Sequence, residues 1–210
     1  MIERILAKRI VPVIVLDDVE QAEPLADALL AGGLDIMEIT FRTTAAAACI
    51  ERIARNRPEI LVGAGTLLQP DQVVRAREAG AKFGLAPGLN PEVVAKAAKL
   101  GLPFSPGVMT PSEVEQALGA GCKLLKFFPA GTAGGSKMLQ ALAGPYGHTG
   151  VHFIPTGGIN RDNMLEYLAV PVVAAIGGSW MVDRKLIQAG AWDEITRLTR
   201  EALDAAAATA

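Results

Sequence analysis

The sequence predicts an α/β protein, a closed (β/α)8 barrel of the TIM type with a short N-terminal helix. Three observations carry this. First, one unit recurs: a helix-like segment ends at glycine and a short apolar stretch follows. It is seen in LLAGGLDIMEIT (29–40), REAGAKFGLAPG (77–88), AKLGLPFSPG (98–107) and LGAGCKLLKFFPAG (118–131). Second, the apolar stretches lack clean alternation, as strands buried on both faces do. Third, strand and helix alternate strictly, which implies a parallel sheet, and eight such units suit a barrel. An open doubly wound sheet is the other topology that this alternation permits.

Taken in order, IERILAKR (2–9) reads as a short helix closing the barrel bottom. Strands are expected at 11–16, 35–40, 60–66, 82–86, 102–106, 122–128, 151–156 and 172–177, each followed by a helix. The glycines at the helix ends supply left-handed C-caps. Asn90-Pro91, Thr110-Pro111 and the run from Asn160 read as helix starts, a polar N-cap with proline able to follow it. The tail DAAAATA (204–210) is expected to fray. No linker-like shift in composition divides the chain, so residues 1–210 are read as one domain.

Composition narrows the partners. Half of the 210 residues are apolar, a fifth are charged and the net charge is −2, which offers no basic stripe for nucleic acid. The uncharged apolar stretch Tyr167 to Val182 holds Pro171, Gly177 and Gly178 and falls short of a membrane span. The apolar run near the start is too short for a secretory signal. A soluble cytoplasmic protein with a small-molecule substrate is expected. Cys49 and Cys122 form neither a disulfide framework nor a metal spacing. With two histidines, His148 and His152, the chain offers no metal-ligand cluster, and no metal or cofactor is expected. His152 reads as a satisfied core histidine.

Catalytic groups of such a barrel come from the C-terminal ends of its strands. Alternation along the second strand puts Ile36, Glu38, Thr40 and Arg42 on one face, and along the sixth it puts Leu124, Lys126 and Phe128 on one face. The opposite faces, with Met37, Ile39, Leu125 and Phe127, are wholly apolar and suit the outer helices. Glu38 and Lys126 therefore point into the barrel, whereas Lys123 has the other parity and faces solvent. A structural ion pair is one reading of the two. The other is chemical. An apolar setting favours the neutral form of an amine, a neutral amine attacks a ketone to give a Schiff base, and a nearby carboxylate moves the protons this requires.

The late loops carry paired glycines, PTGGIN (155–160) and IGGSW (176–180), where phosphate-binding barrels hold an anion on backbone amides. The loop DDVEQ (17–21) is acidic and adds no cation. Arg42 ends the second strand and GAGT (63–66) the third; a guanidinium with a hydroxyl suits a carboxylate. A rim salt bridge is the other reading of Arg42.

Together EITFR (38–42), GAGTLL (63–68), APGLNP (86–91), KFFPA (126–130), PTGGI (155–159) and GGSW (177–180) resemble the 2-keto-3-deoxy-6-phosphogluconate (KDPG) aldolases, many of which also act on 4-hydroxy-2-oxoglutarate. The resemblance runs in order along nearly the whole chain. It implies a metal-free class I aldolase on a small (β/α)8 barrel, assembled as a homotrimer. By position it makes Lys126 the Schiff-base lysine and Glu38 the general acid/base. Arg42 and Thr66 then hold the pyruvate carboxylate, Pro87 and Phe128 pack around the pyruvyl group, and Thr156 faces the substrate. Gly157, Gly158, Gly178 and Ser179 meet the phosphate. The family commonly has Ser-Pro-Gly where this chain has Ala86-Pro87-Gly88, so one hydroxyl is missing. The implied reaction is cleavage of KDPG to pyruvate and glyceraldehyde 3-phosphate, with 4-hydroxy-2-oxoglutarate giving pyruvate and glyoxylate. Two other classes fit the residues alone: a phosphosugar isomerase or epimerase with Glu38 as base, and a non-catalytic phosphosugar-binding protein.

Overall fold

A computed structural model describes residues 2–208. Helix α1 (Ile2–Lys8) leads into β1 (Ile10–Ile14). A 3-10 turn (Val19–Gln21) and α2 (Ala22–Ala31) follow, then β2 (Ile36–Thr40), α3 (Ala46–Asn56), β3 (Leu61–Gly65) and α4 (Pro70–Glu78). The middle of the chain forms β4 (Gly84–Leu85), α5 (Pro91–Lys99), β5 (Phe104–Ser105), β6 (Gly107–Val108), α6 (Pro111–Gly119) and β7 (Leu124–Phe127). The remainder is α7 (Gly135–Tyr146), β8 (His152–Pro155), α8 (Met164–Leu168), β9 (Ile176–Gly178), α9 (Arg184–Gln188) and α10 (Trp192–Ala207).

Every strand pair is parallel. One sheet has the order β5-β4-β3-β2-β1-β9 and the other β6-β7-β8, and single bridges at Phe153–Val173 and Thr156–Gly177 join β8 to the β9 segment. Apart from β5 and β6, which follow each other directly, a helix follows each strand, and β2 and β3 are buried at every position. Phe127 and Phe153 meet edge to face, with centroids 6.5 Å apart. Leu25, Ile36, Ile39, Val62, Leu125 and Ile176 belong to one continuous core.

The four helix-ending glycines, Gly33, Gly80, Gly101 and Gly121, all have left-handed φ. Asn90 caps α5 by accepting from the Glu92 amide, and Thr110 caps α6 within a reciprocal pair with Glu113.

Four expectations change. The stretch 102–106 is not one strand: β5 and β6 flank Pro106, which has no N–H for the ladder, and they fall in different sheets. The last strand is displaced to Ile176–Gly178. Asn160 does not open α8. Its Oδ1 accepts from the amides of Asp162 and Asn163 at 2.9 and 3.3 Å, and this local turn delays the helix to Met164. The tail does not fray from Asp204: α10 continues to Ala207, with Ala206 buried against the core. Thr209 and Ala210 lie outside the described residues. No described helix is long and apolar enough to cross a membrane.

Candidate active site

Lys126 on β7 and Glu38 on β2 meet inside the molecule. Lys126 Nζ donates to Glu38 Oε1 at 3.0 Å, and the two residues are 4% and 0% exposed. Through β1, β9 and β8, their strands are four steps apart. A flat sheet would separate them by about 19 Å. Two side chains in hydrogen-bond contact across that order require a strongly curled sheet.

Local sequence explains each placement. Lys126 is held in β7 by its ladder to Gly107 on one side and Ile154 on the other. Its amide donates to the Pro106 carbonyl at 2.9 Å, so the proline between β5 and β6 still accepts from β7. Glu38 pairs Val13 and Gly63. Its carboxylate lies over Gly65, where an added Cβ would stand 2.2 Å from Oε1. Glu38 Oε2 is buried and has no hydrogen-bond partner among the described residues. A buried acceptor left unpaired is costly, about 1–3 kcal/mol. Phe128 stands beside the amine, with Lys126 Nζ 6.0 Å from its ring centroid. Lys123 is exposed, and its Nζ donates to the Thr149 carbonyl.

The other sequence-predicted residues fall on loops at the C-terminal ends of the strands. Arg42 does not follow strand parity, because β2 ends at Thr40 and a turn carries Arg42 outward. It is exposed, and no carboxylate pairs with it among the described residues, so the rim salt bridge is not formed. Thr66 follows β3 with φ 57°, a left-handed conformation rare for a β-branched residue. Such a conformation costs about 1–3 kcal/mol and clusters at functional sites. Pro87 is half-buried, and its carbonyl crowds Gly107, where a Cβ would stand 2.1 Å from it. Ala86 is buried, its amide bonded to the Ser105 carbonyl.

Thr156 is buried at the end of β8, and Gly177 leaves room for its hydroxyl, an added Cβ there standing 2.1 Å from Oγ1. Gly157 and Gly158 turn with φ 96° and 78°. The amides of Gly158, Ile159 and Ser179 donate to no acceptor among the described residues. Gly178 is buried under the Trp180 ring, while Ser179 is exposed. The loops after β8 and β9 therefore carry backbone amides that no protein carbonyl engages.

Two residues that sequence reasoning passed over matter here. Gly65 and Gly177 are the clearances for Glu38 and Thr156. A glycine inside a wholly buried strand was the available signal, because it marks close approach by a neighbour. Away from the site, burial and then the Asp18 charge push the Cys49 thiol up to about 11, while burial alone raises Cys122, which is half-buried. His152, expected to be satisfied, has a buried Nδ1 without a partner; it begins β8, at the end opposite Lys126.

The family described as "Aldolase: KDPG and KHG aldolase" matches residues 1–198. The chain is 48% identical to the 2-dehydro-3-deoxy-phosphogluconate aldolase of Haemophilus influenzae, covering 97% of this chain and 95% of that one. It is 46% identical to the KHG/KDPG aldolase of Escherichia coli K12, covering 94% and 92%. It superposes on the crystal structure of KDPG aldolase from Legionella pneumophila, which holds pyruvate as a covalent carbinolamine intermediate. The TM-score is 0.91 at 42% identity, over 95% of this chain and 96% of that one. With the buried lysine–carboxylate pair in place and these likenesses spanning nearly its full length, the chain belongs to the KDPG and KHG aldolase family.

Proposed function

We propose that this chain is a Schiff-base aldolase that cleaves KDPG reversibly to pyruvate and glyceraldehyde 3-phosphate, and also cleaves 4-hydroxy-2-oxoglutarate to pyruvate and glyoxylate. The observation that carries it is the buried 3.0 Å contact between Lys126 Nζ and Glu38 Oε1, with Glu38 Oε2 unpaired. At that distance the carboxylate is within hydrogen-bond reach of the amine, where it can carry protons to and from the adducts the amine forms.

The amine attacks the C2 ketone to form a carbinolamine. Glu38 protonates its hydroxyl, water leaves and an iminium remains. Removal of the C4 hydroxyl proton breaks C3–C4, and the electron pair passes into the iminium to give an enamine as the aldehyde departs. Protonation at C3 and addition of water then release pyruvate and restore Lys126. Positioning the ketone against the amine supplies a further part of the rate.

Arg42 and Thr66 hold the pyruvate carboxylate, Pro87 and Phe128 border the pyruvyl group, and Thr156 faces the substrate. The phosphate rests on the loops of Gly157, Gly158, Gly178 and Ser179. The free donors there and the unpaired guanidinium of Arg42 support these roles. We further read β5 and β6 as one strand interrupted at Pro106, which closes the two sheets into a full (β/α)8 barrel of a single domain over 1–210. A cytoplasmic homotrimer completes the reading on family likeness.

Borohydride reduction in the presence of pyruvate tests it. A stable mass increase on Lys126 is expected. An intact enzyme that takes no adduct rejects the mechanism and leaves the isomerase or binding-protein readings. Lys126→Ala abolishes turnover, and Glu38→Gln folds but slows it by about 10²–10⁴-fold.

A further inference from the structure

We propose that the Asp17–Arg184 ion pair sets the preference between phosphorylated and unphosphorylated substrates, with Asp17 weakening the hold on the phosphate. This rests on the phosphate end assigned above to the loops after β8 and β9. β1 and β9 are neighbours, with Pro12 opposite Gly178, so the loop carrying Asp17 and the loop beginning at Ser179 leave the same end of adjacent strands. Arg184, the first residue of α9, closes the gap between them. Its Nε and Nη2 donate to Asp17 Oδ2 and Oδ1, each at 2.7 Å, and Gln188 Nε2 donates to Oδ2 at 3.4 Å.

The side chains of Arg184 and Asp17 are 56% and 37% exposed, so the pair is no support for the core. Its fork-on-fork geometry instead commits the guanidinium to a carboxylate. Several other charges around these loops are engaged, although Lys185 and Asp162 have no side-chain ion pair among the described residues. Arg161 pairs with Glu201, and Glu20 with Arg52. The Asp18 and Asp183 carboxylates accept from backbone amides. A phosphate on these loops thus meets backbone donors and a guanidinium that Asp17 already neutralises. Removing the Asp17 charge lifts a like-charge repulsion and frees the guanidinium, and both effects favour a dianion.

The test compares Asp17→Asn with the unaltered enzyme on KDPG and on the same sugar acid lacking its phosphate. At low ionic strength, KM for KDPG is expected to fall about three- to tenfold, with kcat/KM on the unphosphorylated acid unchanged within about twofold. Competitive inhibition by inorganic phosphate strengthens in parallel, and about 0.5 M salt erases the differences. Arg184→Gln raises KM for KDPG alone. The inference is overturned if Asp17→Asn alters both substrates equally, or leaves KM for KDPG where it was. It is also overturned if that KM rises, which would make Asp17 a support for a phosphate-holding arginine. An unaltered enzyme that cleaves neither acid and takes no pyruvate adduct overturns the assigned function as well, so the two failures are told apart.

Discussion

In the proposed mechanism Glu38 serves Lys126 only if its carboxylate keeps its place, and a residue without a side chain leaves it that place. The space over Gly65 is filled by the Glu38 head group, with no clearance for a methyl. Backbone encloses the glycine in a fully buried strand, so the carboxylate must yield. Gly65→Ala is therefore expected to lower kcat by at least about tenfold, because a displacement near 1 Å at a reacting group has that consequence or more. Folding should survive, since a relocated side chain relieves the clash. Borohydride trapping should still label Lys126, more slowly. A variant with unchanged kcat would show that Glu38 works equally well from another position.

At the scale of elements, the helices are set by their ends, and α6 is the clearest case. Thr110 Oγ1 accepts from the Glu113 amide, while Glu113 Oε2 accepts from the amides of Met109 and Thr110, both at 2.8 Å. Thr110→Ala is expected to cost about 1 kcal/mol in urea unfolding with no change in catalysis. Burial pushes the Glu113 carboxyl up, but the bonds from Met109 and Thr110 outweigh it and hold the group below the ordinary glutamate range. A carboxyl lowered on folding stabilises above its unfolded value, and that contribution disappears as pH falls through the folded value. The stability gap between the unaltered protein and Glu113→Gln should thus shrink between about pH 7 and about pH 3. A gap that stays constant would assign the effect to packing.

Across the whole molecule, the two ends of the chain are joined. Thr196 Oγ1 and Arg200 Nη2 on α10 donate to the carbonyls of Ala28 and Ala31 on α2, and Lys8 Nζ on α1 donates to that of Gly33. The fit is close: a Cβ on Gly32 would lie 2.7 Å from that of Thr199. Neither the first βα unit nor the last helix has a core of its own. Thermal unfolding is expected as one cooperative step, with calorimetric and van't Hoff enthalpies equal and with Trp fluorescence and far-UV ellipticity coincident. Two separable transitions would divide the chain into domains. A chain ending before Trp192 should fail to fold, because the α2 face at Ala28, Ala31 and Gly32 loses its cover.

Much of this architecture was legible along the chain. Apolar runs, capping residues and helix-ending glycines are local signals, and Asn90, Thr110 and the four left-handed glycines act where they stand. Parity along four residues was enough to turn Lys126 inward and Lys123 outward. The tertiary structure decided what depends on distance between remote segments. The curl of the sheet brings together two groups 88 residues apart. It also sets the clearance that Gly65 must leave, the left-handed turn at Thr66 and the pairing of Asp17 with a helix from the other end of the chain. Local propensity acts over a few residues, whereas these contacts arise only once the remote strands and loops are brought together.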